Sequence, residues 1–194
     1  MTSKQIIRTW SYRPEFFNNN SDQANLLVLS RQLQWRGIEA EPTADLELAD
    51  FVLIGDGSRA AVRQFATELE ELAPKISKRF HDGSPTLIVG SAFEFFLDKI
   101  PELGSKTRGE RSSEFRVAKE LGVEAYGYRN TDLMTDLKIN GSFVATTLYG
   151  PVLAKSPQVL KLILKGLGIA KELDQALAAE LSELVQQIRQ TNAG

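Results

Sequence analysis

The chain alternates between short, strongly apolar segments and longer segments whose apolar residues recur at helical spacing. Two of the apolar segments are continuous, Asp50–Gly57 (DFVLIGDG) and Thr86–Val89. A continuous apolar run bounded by glycine turns is typical of a strand buried on both faces, as in a parallel sheet. Together with Gln5–Tyr12 and Ile38–Pro42, these segments are predicted to be the first four strands.

Apolar residues at steps of three and four mark the intervening segments as amphipathic helices. Helices are predicted at Ala24–Arg36, at Arg59–Phe80, from Phe93 onward, from Pro157 to Gly166 or Gly168, and at Lys171–Gln190.

Local residues predict where these helices begin and bend. Ser21 or Asp22 is predicted to cap the first helix, Ser58 the second and Ser156 the helix that starts at Pro157. Pro74 is predicted to kink or break the second helix, because proline lacks the N–H that a helix interior uses.

The middle of the chain carries weaker patterns. Gly104–Ser113 (GSKTRGERSS) is polar and is predicted to be a mobile surface loop. The wider stretch 104–116 carries four cations, which favour a solvated loop but leave open an anion or partner site: Lys106, Arg108, Arg111 and Arg116. Val123–Asn130 is predicted to be a strand. Leu137–Leu148 is predicted to be a hairpin with a type I′ turn at Asn140–Gly141.

The alternation of strands and helices predicts an α/β fold, a three-layer sandwich with a mostly parallel central sheet. The length of 194 residues predicts one domain, 1–194, with a C-terminal amphipathic helix at about 171–190. The sequence leaves open whether that helix packs on the sheet or binds a partner, and whether the chain forms a homo-oligomer. In such folds ligands bind at the carboxyl ends of the strands.

Composition excludes several kinds of chemistry. The chain has no cysteine, a single histidine (His81) and a formal net charge of −2. It therefore has no disulfide, thiolate nucleophile or histidine pair for a metal, and no overall basic surface for nucleic acid. We expect no cofactor and no metal. Met1–Trp10 has no targeting pattern and no window is long enough to span a membrane, so a cytoplasmic location is expected.

Two strand ends carry small-residue turns, Gly55–Asp56–Gly57 and Gly90–Ser91–Ala92. A buried strand, a tight turn and a following helix form the local architecture of a nucleophile elbow, which exposes one side chain at its tip. The same pattern also suits an ordinary strand-to-helix turn, in which small residues allow close packing. The pattern alone leaves Gly90 or Ser91 at the tip.

Several segments in order resemble the class I glutamine amidotransferases of the cobyric-acid-synthase type, and within them the glutaminase subunits of lipid II isoglutaminyl synthase. The segments that carry the resemblance are Asn18–Gly37, Asp50–Gly57, Pro85–Phe96 (PTLIVGSAFEFF), Thr146–Pro157 (TTLYGPVLAKSP) and, more weakly, Gly127–Asn130. The resemblance implies a flavodoxin-like amidotransferase fold. It also implies hydrolysis of glutamine by a cysteine and a histidine, with ammonia passing to a Mur-ligase-like partner.

The departures from that family fall on its chemistry. Gly90 stands at the position of the nucleophile and Tyr149 at that of the base. Glycine has no attacking atom, and a tyrosine with a pKa near 10 is a poor base at neutral pH. Further departures adjoin these two positions: Asp56, Ser91, Ala92 and Glu94. A carboxylate at Asp56 would repel a developing oxyanion.

The sequence therefore predicts an amidotransferase-like protein that has lost glutaminase activity. It would act as a binding or regulatory subunit of a larger enzyme, with a Mur-ligase-like or other synthetase partner and a possible role in the cell wall. The alternative is an enzyme of altered chemistry that uses Ser91, Glu94, Arg129 or Tyr149. A small ligand in the degenerate pocket is compatible with both, and its candidate contacts are Gly55, Asp56, Gly57, Ser91, Ala92, Glu94, Arg129 and Asn130.

A hydrolase pairing Ser91 with His81 is a weaker candidate. His81 lies between a predicted helix and the next strand, at the end of the sheet opposite the elbow. The acidic group of Asp45, Glu47 and Asp50 is interpreted as a solvated face rather than a metal site.

Overall fold

A six-stranded sheet forms the centre of the computed structural model, which describes residues 5–192. The strands are β1 (Ile6–Ser11), β2 (Glu39–Pro42), β3 (Phe51–Ile54), β4 (Thr86–Val89), β5 (Arg108–Glu120), β6 (Val123–Leu133), β7 (Leu137–Asn140), β8 (Phe143–Thr146) and β9 (Leu148–Tyr149). The central sheet has the order β2-β1-β3-β4-β8-β7, and only the β7–β8 pair is antiparallel. The predicted mostly parallel sheet is confirmed.

Helices cover both faces of this sheet. They are α1 (Ala24–Trp35), α2 (Arg59–Gln64), α3 (Ala66–His81), α4 (Ser91–Leu97), α5 (Val152–Lys155), α6 (Pro157–Gly166) and α7 (Gln175–Thr191). Alternate residues of β3 belong to two separate hydrophobic cores, one on each face of the sheet. Val52 and Ile54 pack with α2, α3 and α4, whereas Phe51 and Leu53 pack with α1, α5 and α6. This division confirms the predicted three-layer α/β sandwich, since each face of the sheet buries its own set of side chains.

The predicted mobile loop at 104–113 is wrong in its second half. Arg108–Glu120 forms strand β5, which pairs with β6 in a separate antiparallel sheet of order β5-β6-β9. Most β5 side chains are exposed on both faces, so the strand carries no apolar alternation for the sequence to display. Three of the four cations at 104–116 form ion pairs: Lys106 and Arg108 contact Glu94, and Arg116 lies 3.3 Å from Asp136.

The second predicted helix breaks at Phe65 and not at Pro74. Phe65 separates α2 from α3 with φ −104° and ψ 17°, and its ring is buried in the core. Pro74 stays inside α3, where the buried neighbours Ala73 and Ile76 hold the helix against the sheet. Tertiary packing here overrides the helix-breaking tendency of proline.

One predicted cap is wrong, and a second holds its position without the capping bond. Gln23, and not Ser21 or Asp22, is the N-cap of α1, because the Asp22 carboxylate instead accepts a hydrogen bond from the Asp56 backbone N–H. Ser156 is the N-cap residue of α6 and Pro157 follows it in the first turn, as predicted, but the Ser156 hydroxyl bonds to the backbone of Tyr126 rather than to the helix.

The predicted hairpin forms with a different turn. Asn140 pairs with Phe143, so the loop consists of Gly141 and Ser142, and only Gly141 has a positive φ (55°). That arrangement fits a type II′ turn, which needs glycine at its first central position, rather than type I′. The second arm ends at Thr146, because the next two residues join the other sheet as β9.

The C-terminal helix begins at Gln175 and not at residue 171, since Asp174 caps it by accepting from the backbone N–H of Ala176. None of its residues is buried. Within residues 5–192, no helix is both long enough and apolar enough to cross a membrane. The outermost residues of the predicted domain, 1–4 and 193–194, lie outside the described range.

Candidate functional site

The turn after β4 has the backbone geometry of an elbow. Gly90 directly follows the strand and precedes the first residue of α4, with φ 62° and ψ −125°. Its backbone N–H donates to the Thr146 carbonyl at 2.8 Å, which ties the turn to the carboxyl end of β8. A positive φ of this kind is strained for residues with a side chain and persists where the surroundings impose it.

The space in front of Gly90 is filled by two side chains. A Cβ atom placed on Gly90 would lie 2.5 Å from Asp56 Oδ1 and 2.6 Å from Tyr149 Cε1. The two positions that the family resemblance assigns to nucleophile and base are therefore adjacent in space. The volume that a nucleophilic side chain would need is occupied by Asp56 and Tyr149.

The carboxylate of Asp56 takes up the hydrogen-bond donors of the turn. Oδ1 accepts from the Ser91 backbone N–H at 2.8 Å, and Oδ2 accepts from the side-chain amides of Asn20 at 3.0 Å and Asn19 at 3.3 Å. In an elbow, the N–H of the residue after the nucleophile serves the oxyanion hole. Here that N–H is bound to a carboxylate of the chain itself. Burial raises the pKa of Asp56, and these hydrogen bonds oppose the rise.

The hydroxyl of Ser91 is engaged on both sides. It donates to the Gly57 carbonyl at 2.8 Å and accepts from the Gly57 N–H at 2.9 Å. These bonds join the turn after β3 to the turn after β4. Gly55 holds the same corner together, since a Cβ atom there would lie 2.2 Å from the Phe17 carbonyl oxygen. Ala92 points into the core and is fully buried.

Tyr149 is unsuited to act as a base. Burial, and then the charge of Asp56, raises its pKa to about 12. Its hydroxyl lies 3.5 Å from the Asn130 carbonyl oxygen. A phenol with this pKa stays protonated at neutral pH and has no free lone pair of useful basicity.

A second buried carboxylate, that of Asp22, contacts the backbone of Asp56. Asp22 is fully buried, and its Oδ2 accepts from the Asp56 N–H at 3.0 Å, whereas its Oδ1 has no hydrogen-bond partner of good geometry among the described residues. Burial raises the pKa of Asp22 to about 6. Nearby, the ammonium of Lys155 donates to the Tyr149 carbonyl at 3.1 Å, and burial lowers its pKa.

The remaining predicted contacts lie around the second sheet and are engaged in local bonds. Arg129 is buried, pairs with Asp136 at 2.6 Å and donates to the Thr131 carbonyl at 2.7 Å. The Asn130 side-chain oxygen accepts from Arg111 at 2.8 Å. Glu94 pairs with Arg108, as already described.

His81 lies away from the elbow. It ends α3, which is followed by the turn into the start of β4, and its Nε2 lies 3.4 Å from Glu102. Ser91 and His81 therefore belong to opposite ends of β4 and do not form a catalytic pair. No group of three potential metal ligands occurs among residues 5–192.

Sequence reasoning missed four residues of this site: Asn19, Asn20, Asp22 and Lys155. The consecutive asparagines 18–20 were the available signal, because amide side chains in a loop beside a strand end are suited to bind a carboxylate. Their partner, Asp56, is more than thirty residues away in the chain, so local pattern did not identify the pair.

Comparison with known proteins gives likenesses in structure alone. No protein-family model and no curated protein matches the chain. Solved structures do match. PurLQS from Thermotoga maritima is 11% identical with a TM-score of 0.46, covering 84% of this chain and 98% of that one. A glutamine amidotransferase from Thermotoga maritima is 12% identical with a TM-score of 0.46, covering 96% and 90%. At this level of similarity neither structure assigns an activity to this chain.

Proposed function

We propose that this protein is a non-catalytic relative of the amidotransferase glutaminase subunits, and that it serves as a binding or regulatory subunit of a larger enzyme. One observation carries the proposal. The elbow at Gly90 keeps its backbone shape, while Asp56 and Tyr149 fill the space of the missing nucleophile.

The side chains around the Gly90 turn support a loss of glutamine hydrolysis rather than a replacement of the catalytic groups by others. A thioester needs a thiolate and a base that act as a unit, and neither is available at Gly90 or Tyr149. An oxyanion needs unoccupied N–H donors, whereas the Ser91 N–H is bound to the Asp56 carboxylate. Glutamine therefore finds neither an attacking atom nor a stabilised intermediate.

Restoring the cysteine and the histidine tests whether Asp56 blocks the position of the nucleophile. We compare Gly90→Cys/Tyr149→His with the same pair plus Asp56→Gly, using a chloroketone analogue of glutamine and mass spectrometry. The triple variant is expected to be labelled at its new thiol. The double variant is expected to resist labelling, because Asp56 still occupies the space and the donor. Equal labelling of both would show that Asp56 does not block the site.

The partner we propose is a Mur-ligase-like or other synthetase subunit in the cytoplasm. The support is the family resemblance, in which glutaminase subunits pass ammonia to such a partner. Calorimetric titration of the purified chain with a Mur-ligase-like protein from the same genome tests this part. A stable complex is expected, and its absence would contradict the partner while leaving the loss of hydrolysis intact.

The alternative of altered chemistry receives no support from the contacts. The Ser91 hydroxyl is held by both backbone groups of Gly57, and Arg129 is paired with Asp136. Neither side chain is free to meet a substrate without first breaking these bonds.

A further inference from the structure

A large apolar cavity lies on the outer side of the helical layer formed by α1 and α6, remote from the elbow. Its volume is about 850 Å³, within the range of roughly 300–1,000 Å³ typical of small-molecule sites. Helix α7 closes one side of it.

The walls of this cavity are apolar on both sides. Helices α1 and α6 contribute Leu27, Trp35 and Leu160, and α7 contributes Leu181 and Val185 across the gap. Yet α7 buries none of its residues, and Leu27 is 72% exposed. Leu181 and Val185 are only half-buried, so the two apolar surfaces do not close fully on each other and leave a space that apolar material would fill favourably.

The rim of the cavity is cationic. Arg31, Lys161 and Lys165 line it and are exposed, with the two lysines one turn apart on α6. Among the described residues, neither lysine side chain forms an ion pair or a hydrogen bond. Arg36 and Lys171 add further positive charge, whereas Glu172 is the one acidic residue along the lining. The occupant is therefore expected to have an apolar body and a negative end.

The volume discriminates between candidate occupants. At about 30 Å³ per heavy atom, the share of a water molecule in the liquid, the cavity holds on the order of 25–30 heavy atoms. A fatty acid such as palmitate fits within that number, and its single anionic end matches the cationic rim.

We propose that this cavity binds a free long-chain fatty acid. The alkyl chain lies between α7 and the α1/α6 layer, and the carboxylate lies at Lys161 and Lys165. The proposal is independent of the proposed subunit function, because no residue of the elbow lines the cavity.

Calorimetry with palmitate below its micelle concentration tests the proposal, with hexadecanol as the uncharged probe. Wild type is expected to bind palmitate more tightly than hexadecanol. Lys161→Gln/Lys165→Gln is expected to weaken palmitate binding about two- to tenfold, as for exposed ion pairs, and to leave hexadecanol unchanged. The matched control is Arg59→Gln/Arg63→Gln on α2, an exposed pair with the same spacing outside the cavity.

Narrowing the cavity provides a second test. Leu181→Trp is expected to weaken binding, whereas Ala179→Trp, on the same helix but outside the lining, is expected to leave it intact. In Trp10→Phe protein that carries neither of these two substitutions, Trp35 is the single tryptophan, so its emission reports occupancy directly.

Four results would overturn the proposal. They are no binding of palmitate by wild type, equal binding by Leu181→Trp, binding only to vesicles of anionic phospholipid, and a dimer that palmitate does not affect and that Leu184→Glu dissolves. The last two would assign the cavity to a membrane surface or to a second copy of the chain.

Discussion

The substitution Gly90→Ala tests most sharply whether the elbow is filled from within. Gly90 has φ 62°, and an added Cβ would lie 2.5 Å from Asp56 Oδ1 and 2.6 Å from Tyr149 Cε1. Both neighbours are held in place, Asp56 by hydrogen bonds and Tyr149 within β9.

The cost has two parts, one from the backbone conformation and one from the steric clash. The unfavourable backbone conformation costs about 1–3 kcal/mol, and forcing an extra methyl group into packed surroundings costs about 1–3 kcal/mol more. The expected loss for Gly90→Ala is therefore roughly 2–6 kcal/mol. Gly168 also has a positive φ (72°) but no atom within 4 Å of its Cβ position, so Gly168→Ala carries a backbone cost without a steric clash, about 1–2 kcal/mol.

Urea unfolding of the two variants measures the difference in free energy of unfolding. We expect Gly90→Ala to be less stable than Gly168→Ala by at least about 1 kcal/mol, which lowers the melting temperature by a further 2–4 °C or so at this chain length. Adding Asp56→Gly to Gly90→Ala is expected to recover part of the loss. Equal destabilisation by the two alanines would refute the claim that side chains fill the elbow.

Three further predictions concern residues around the site. Burial raises the pKa of Asp22 from 3.8 to about 6, so the folded state holds this proton more tightly than the unfolded state. The free energy of unfolding of the wild type is therefore expected to fall by up to about 3 kcal/mol, relative to Asp22→Asn, as the pH rises from about 4 to about 6. Urea titrations at several pH values measure this fall, and the exposed change Glu183→Gln should not alter it. Ser58→Ala removes the acceptor for the Ala61 N–H and is expected to cost about 1 kcal/mol in the same assay; a neutral effect would contradict the cap. Arg129→Ala leaves the carboxylate of Asp136 with Arg116 and the Thr147 hydroxyl, and is expected to cost about 3 kcal/mol in thermal unfolding. A loss close to zero would contradict the role assigned to this pair.

The central sheet was predictable because the local hydrophobic pattern identifies two of its strands. Phe51–Ile54 and Thr86–Val89 are buried on both faces, so every position except Thr86 is apolar and each apolar run is continuous. The helices between them carry apolar stripes for the same reason, since each covers one face of that sheet. The start of α1 was less predictable, because the Asp22 carboxylate bonds to the distant Asp56 N–H instead of capping the helix.

The second sheet was not predictable in the same way. Strand β5 is exposed along most of its length, and what defines it is backbone pairing with β6. Residues such as Arg108 and Arg111 therefore appear in the sequence as a polar, turn-rich stretch. Backbone hydrogen bonding leaves no trace in side-chain polarity, so this strand had no local signal.

The candidate site was predictable as a set of positions but not as a set of contacts. The family resemblance placed Gly90 and Tyr149 together, and the structure brings them into contact range. The role of Asp56 was expected to be repulsion of an oxyanion. The structure adds that its carboxylate is bound by Ser91, Asn19 and Asn20, contacts between chain segments that no local pattern encodes.

The most direct test of the central claim is the release of glutamate from L-glutamine by the purified wild-type chain, alone and with its candidate synthetase partner. We predict no release above that of a protein-free blank in either case, because the elbow lacks a nucleophile and its Ser91 N–H is already bound to Asp56. Sustained release that grows with protein concentration and is lost in Ser91→Ala would contradict the account.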